Sequence, residues 1–211
     1  MSNHLKITLV SAALAVFALP VVAQSTSTTA QSSTAASSPV TGESIQDRKE
    51  NQQDRIANGV KSGELTAGET ANLEKKQAAL NQEERNMRKL DNGKLTAGDK
   101  KTLTQQQNQL SKQIYQDKHN SNVQTTHPAT EVGRREENQQ DRISNGIKDG
   151  QLNANQASKL EAKEANINQE VKADRAANGG KLTSAEKAQV TKQQNGVSYQ
   201  IHHERHNKKK P

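Results

Sequence analysis

Ser62-Gly63-Glu64-Leu65-Thr66-Ala67-Gly68-Glu69 is the stretch whose reading decides the fold. Glycine suits the left-handed backbone that ends a helix. Thr66 is a good first cap for the next helix, because its hydroxyl accepts from an exposed backbone N–H. Glu69, three residues on, can answer back to the cap or complement the positive helix end. One corner therefore stops one helix and starts another. The pattern recurs at Asn92-Gly93-Lys94-Leu95-Thr96-Ala97-Gly98-Asp99, at Asp149-Gly150-Gln151-Leu152-Asn153-Ala154-Asn155-Gln156, and at Gly179-Gly180-Lys181-Leu182-Thr183-Ser184-Ala185-Glu186. The expected caps are thus Thr66 with Glu69, Thr96 with Asp99, Asn153 with Gln156 and Thr183 with Glu186. Asp99 has a short side chain, so the second corner is expected to rest on the helix dipole more than on a reciprocal bond.

Four such corners divide the chain into helices expected at 43–61, 66–90, 96–119, 134–148, 153–177 and 183–206. Apolar side chains recur at helical spacing. Leu73, Leu80 and Met87 are seven apart, as are Leu103 and Leu110, Leu160 and Ile167, and Val190 and Val197. Strand-type alternation is absent, and Ala, Gln, Glu and Lys are good helix formers. A helix of 25 residues runs about 37 Å, and short turns set neighbours antiparallel. The class is all-α.

The corners also expose a duplication. Residues 48–120 and 135–207 align without a gap at an offset of 87, with Asn51-Gln52-Gln53-Asp54-Arg55-Ile56 recurring as Asn138-Gln139-Gln140-Asp141-Arg142-Ile143. Repeated sequence implies repeated structural units that bury or present the same face. The expected organisation is two tandem, homologous, antiparallel three-helix units, 45–120 and 134–207, joined by a Pro- and Gly-punctuated linker at 121–133. The apolar stripe is thin. A coiled-coil seam carries two apolar residues per heptad, and here there is often one. Slender, weakly stable helices follow, or helices that firm up on self-association or on a protein partner.

The ends carry the address. Lys6 followed by the apolar run Ile7–Val22 and the small-residue site Val21-Val22-Ala23 reads as a secretory signal, residues 1–23, with cleavage before Gln24. The run of 16 residues is shorter than the roughly 20 that span a bilayer. No later segment is apolar enough, so the mature chain is not expected to be transmembrane. The product is exported, periplasmic or extracellular. Residues 24–44 form a Ser- and Thr-rich tract with little to bury, expected to be a disordered spacer. Residues 208–211 are a basic tail.

Composition narrows the chemistry. The 211 residues include no cysteine, which excludes disulfides, thiolate metal sites and a Cys nucleophile. The net charge of +7 falls to +6 without Lys6, and acids and bases are interleaved. Long-range attraction to an acidic envelope surface is open to such a chain. Nucleic acid is not an expected partner, since the mature chain has only Tyr115 and Tyr199 to stack on bases. No catalytic constellation appears in both copies, no cofactor site is legible, and no enzyme activity is expected.

His202-His203-Glu204-Arg205-His206 is the one histidine cluster. His202 and His206 share a helix face and are candidate ligands for a divalent transition metal. The first copy has Tyr115 and His119 at these positions, and Arg205 with the Lys tail opposes a cation.

The Gly-x-Leu-Thr-x-x-Glu corners resemble the second half of an EF-hand calcium loop. The first half departs from it: Asn58, Val60 and Ser62 precede Gly63, and Arg88, Leu90 and Asn92 precede Gly93, where oxygen ligands belong. Helix capping accounts for the same residues. The corners LTAGE, LTAGD, LNANQ and LTSAE also resemble the Leu-Thr-x-x-Gln motif of the small periplasmic helical proteins of the Spy and CpxP group. That resemblance implies a stress-protective chaperone role. The composition is similar to that of hydrophilins and late-embryogenesis-type desiccation proteins. The sequence thus supports an exported helical repeat protein acting as a structural or protein-interaction module, with the Spy-like chaperone as the alternative and weak metal binding beyond that. Client binding requires Leu73, Leu80, Met87, Leu103 and Leu110 to be exposed; a structural unit buries them.

Overall fold

The computed structural model describes residues 44–207. The stretches expected as a secretory signal (1–23) and as a spacer (24–44, apart from Ser44), and the basic tail at 208–211, lie outside the described residues. Six helices follow in order: α1 Ile45–Ser62, α2 Ala67–Leu90, α3 Ala97–Lys118, α4 Glu131–Lys148, α5 Ala154–Ala177 and α6 Ser184–His206. The fold is all-α, and the described residues contain no strand.

Each corner is built as its residues dictate. Thr66, Thr96, Asn153 and Thr183 sit in extended backbone at the helix starts, and each side chain accepts from the backbone N–H three residues on. The return bond is present at all four. Asp99 departs from expectation, because its carboxylate accepts from the Thr96 N–H at 2.9 Å and from the Thr96 hydroxyl at 2.7 Å. First-turn side chains lean back toward the helix start, so Asp reaches without the extra methylene of Glu. Asp47 does the same for Ser44, accepting from its N–H at 3.0 Å and capping α1.

The fourth helix begins earlier than expected, inside the stretch read as linker. Thr130 supplies the cap, and Val132 is buried where the first copy places Ile45. The equivalence is functional: Gln107 Nε2 donates to the Ile45 carbonyl and Gln194 Nε2 to the Val132 carbonyl, both at 2.9 Å.

Within each copy, α1 is tied to α3 and α4 to α6 by the same bonds. Gln52 Nε2 donates to the Gln107 carbonyl at 2.6 Å, and Gln139 Nε2 to the Gln194 carbonyl at 2.7 Å. Arg55 grips Ser111 through its hydroxyl and carbonyl, and Arg142 grips Ser198 likewise. A side chain that satisfies buried backbone in this way fixes helix register as well as position.

The two copies dock through α1 against α4 and α2 against α5. Ser144 Oγ donates to the Ala57 carbonyl at 2.8 Å and Ser158 Oγ to the Ala71 carbonyl at 2.9 Å. Both pairs join equivalent positions, 87 residues apart. The chains run in opposite directions at these contacts: Lys61, beyond Ala57, shares a small cleft with Asp141, which precedes Ser144. Equivalent residues meeting across antiparallel helices mark an internal two-fold axis, the arrangement of an isologous dimer within one chain. A single apolar cluster crosses this seam, including Ile56, Leu73 and Leu110 from the first copy and Ile143, Leu160 and Val197 from the second. The thin stripe of each copy is thus completed by the other copy.

Candidate functional site

The expected interaction stripe turns inward. Leu73, Leu103, Leu110, Leu160, Ile167, Val190 and Val197 are all buried. Leu80 and Met87 are half-buried, and Leu80 packs against the same core. Among the described residues, the large apolar side chains that face solvent are different ones: Leu90, Tyr115, Val123 and Tyr199. Capping carboxylates sit where the sequence puts them. Hydrogen bonds from their Thr or Ser caps hold Asp47, Asp99 and Glu186 below their usual carboxylate range. Glu69 is also held low, because bonds from Asn122, Thr66 and Asn120 outweigh its partial burial.

The histidine pair is brought together, with the two rings tilted against each other. The His202 and His206 rings lie 4.2 Å apart, centre to centre. His206 Nδ1 donates to the His202 carbonyl at 2.7 Å, since a carbonyl can only accept. The first copy stacks Tyr115 over His119 at 4.1 Å, and His119 Nδ1 donates to the Tyr115 carbonyl at 2.7 Å. Ring contact one turn apart, with the same side-chain bond to the backbone, therefore accounts for the geometry in both copies. Among the described residues, no group of three or more His, Cys, Asp or Glu is placed to hold a metal ion. None of the described helices is long and apolar enough to cross a membrane.

The chemically distinctive cluster lies at the seam between the copies. Glu74 on α2 and Glu161 on α5 are equivalent residues, and both are fully buried. Glu164, one turn along α5, is equally buried, in the place of Gln77. Gln53 Nε2 donates to both Glu74 oxygens at 3.2 Å, and Gln140 Nε2 donates to one Glu161 oxygen at 2.9 Å. Neither oxygen of Glu164 has a hydrogen-bond partner. Half-buried Glu136 on α4 completes the group and is bonded by Gln124 of the linker. The linker is pinned here as well, through Gln124 N–H to the Gly63 carbonyl at 2.8 Å and His127 N–H to Glu137 at 2.9 Å.

Burial disfavours a charged carboxylate. It pushes Glu74 up to about 8 against the one bond from Gln53. Glu164 is likewise pushed up to about 8, by burial first and by the charge of Glu136 second. Glu161 is driven well above the usual range by burial; Gln140 opposes this, and Glu164, Glu74 and Glu136 add to it. Glu136 is raised by burial, against bonds from Asn168 and Gln124 and the charge of Arg175.

No protein-family model matches this chain, and neither a curated protein nor a solved structure shows significant similarity to it. Burial favours the protonated form of all three acids, which can then donate hydrogen bonds, and it closes them off from a solute outside.

These acids are absent from the sequence-derived candidates. Their signal was nonetheless present, because Leu73-Glu74 recurs as Leu160-Glu161, and Gln53 recurs as Gln140, at the shared offset of 87. Two copies that keep a Leu-Glu pair in one helical register keep the Glu beside the core.

Proposed function

We propose that the chain is an exported, non-enzymatic helical repeat protein that serves as a structural or protein-interaction module of the periplasm or cell envelope. The observation that carries this reading is the inward-facing stripe. Leu73, Leu103 and Leu110 are at most 3% exposed, and so serve the protein's own core. A chaperone of the Spy kind needs such side chains outside. The perturbed acids support a non-catalytic role, since a general acid must reach the proton it transfers, and Glu74, Glu161 and Glu164 are closed off. The outer surface mixes both signs of charge around a modest positive excess, which suits reversible contact with acidic envelope components.

Two measurements test the reading together. Added in several-fold molar excess to a reduced, aggregating client, the mature protein should leave light scattering unchanged. A photo-crosslinking residue placed at exposed Leu90 or Tyr199 in cells should give a discrete adduct. Suppressed aggregation with no adduct would replace this reading with the chaperone.

A further inference from the structure

We propose that the seam between the two copies is a proton-operated clamp, which holds the copies together while Glu74, Glu161 and Glu164 are protonated and loosens as they ionise. The geometry is that of an interface, with acids on both sides. Glu74 comes from the first copy, Glu161 and Glu164 from the second, and all three are sealed where α2 packs on α5. The groups that face them are neutral or acidic. Gln53 of α1 and Gln140 of α4 each donate one amide, and Gln77, three residues after Glu74 on α2, is buried and neutral. Glu136 of α4 adds a fourth carboxyl that acts on Glu161 and Glu164. Arg175 is the cation that reaches this group, and it acts at Glu136. With both Glu164 oxygens unpartnered, nothing in the seam compensates a negative charge there.

Ionising one of these acids in place therefore buries an uncompensated charge beside other acids. Separating the copies returns it to water. The direction follows from linkage. The closed seam binds protons that the open one releases, so closure is complete below the ordinary carboxylate range and weakens as pH rises toward 8. A carboxyl moving from 4.5 to about 8 on closure changes the opening constant by up to about 100-fold between pH 5 and pH 7. An exported protein meets the pH of its surroundings directly, so such a seam would couple external acidity to the joining of its two halves.

Hydrogen exchange of the native mature chain tests this without substitution. After correction for intrinsic exchange, the opening constant at the seam amides of Ala57, Ala71, Ser144 and Ser158 should rise steeply from pH 5 to pH 8. The amides within the α1–α3 contact of one copy should rise less. The variant Glu74→Gln/Glu161→Gln/Glu164→Gln should exchange slowly and almost independently of pH. Should that variant fail to fold, Glu161→Gln alone should lower the pH slope by about one proton. Because the chain has no cysteine, spin labels on Lys61→Cys and Asp141→Cys give the distance across the seam. They should report a short, narrow distribution at pH 5 and a longer, broader one at pH 9. A native opening constant that does not change with pH overturns the proposal, as does a Gln variant that keeps the native slope.

Discussion

Replacing Gly59 by Ala sets two effects of opposite sign against each other. Gly59 lies inside α1, where Ala favours the helix by about 1 kcal/mol. The added methyl, however, falls 2.7 Å from both Cγ and Cδ1 of Leu65 and 3.3 Å from Cγ of Lys118. Carbon atoms rest at about 3.5–4.0 Å, so Leu65 has to move. It has nowhere to go: Leu65 is fully buried, its N–H donates to the Gly59 carbonyl at 3.0 Å, and the next residue is the α2 cap. Overpacking of this kind costs about 1–3 kcal/mol. Gly59→Ala should therefore lose up to about 2 kcal/mol net, a drop of up to about 8 °C in Tm for a body of this size. Gly146→Ala repeats the experiment in the second copy, where Leu152 carbons lie at 2.7 and 2.8 Å. Gly196→Ala, in exposed α6 with nothing within 4 Å, should instead gain about 1 kcal/mol. Thermal melts followed by circular dichroism read all three. If Gly59→Ala and Gly146→Ala stabilise as Gly196→Ala does, the claim that these glycines exist to seat Leu65 and Leu152 is wrong.

Other substitutions probe the caps, the core and the outer charges. Thr66→Ala and Thr183→Ala remove a side-chain acceptor and should each cost about 1 kcal/mol in urea unfolding; no loss at either would mean that the Gly turn alone ends and starts the helices. Leu73→Ala, at the heart of the shared core, should cost about 2–5 kcal/mol and raise exchange in both copies. A loss confined to the first copy would count against one continuous core. Stability should also fall in strong acid, because Asp47, Glu69, Asp99 and Glu186 are held below their usual range. Their contribution is complete above the unfolded carboxylate range and is lost as pH drops through the lowered folded values. With the seam acids acting in the opposite sense, the urea midpoint should peak near pH 5; a plateau from pH 5 to pH 9 would contradict the assignment of the seam.

Helix positions were legible because their signals are local. A cap, a left-handed glycine and a carboxylate lie within a few residues of one another, and the four corners satisfy their own hydrogen bonds. The two errors at the ends were also local in origin. Asp99 reached farther than its length suggested, and Thr130 capped α4 before the point where the repeat alignment begins. The stripe residues were identified as a set, but not the direction they face. Heptad spacing places Leu73 and Leu160 on one side of a helix; it carries no information about what covers that side. Gly59 and Gly146 escaped notice for a related reason. Each reads as an ordinary helix-weakening glycine until the leucine six residues on folds back against it.

From its own residues the chain determined that it would be helical and where five of its six helices would start, since capping and propensity act over one turn; the duplication of its sequence is visible on inspection. Only the tertiary structure decided that each copy is the other's partner. Docking of α1 on α4 and α2 on α5 joined the apolar clusters of the two copies into one core and placed Glu74 and Glu161, 87 positions apart in sequence, in one sealed seam. Burial and like-charge proximity depend on distances between segments, and those distances are set when the two halves close.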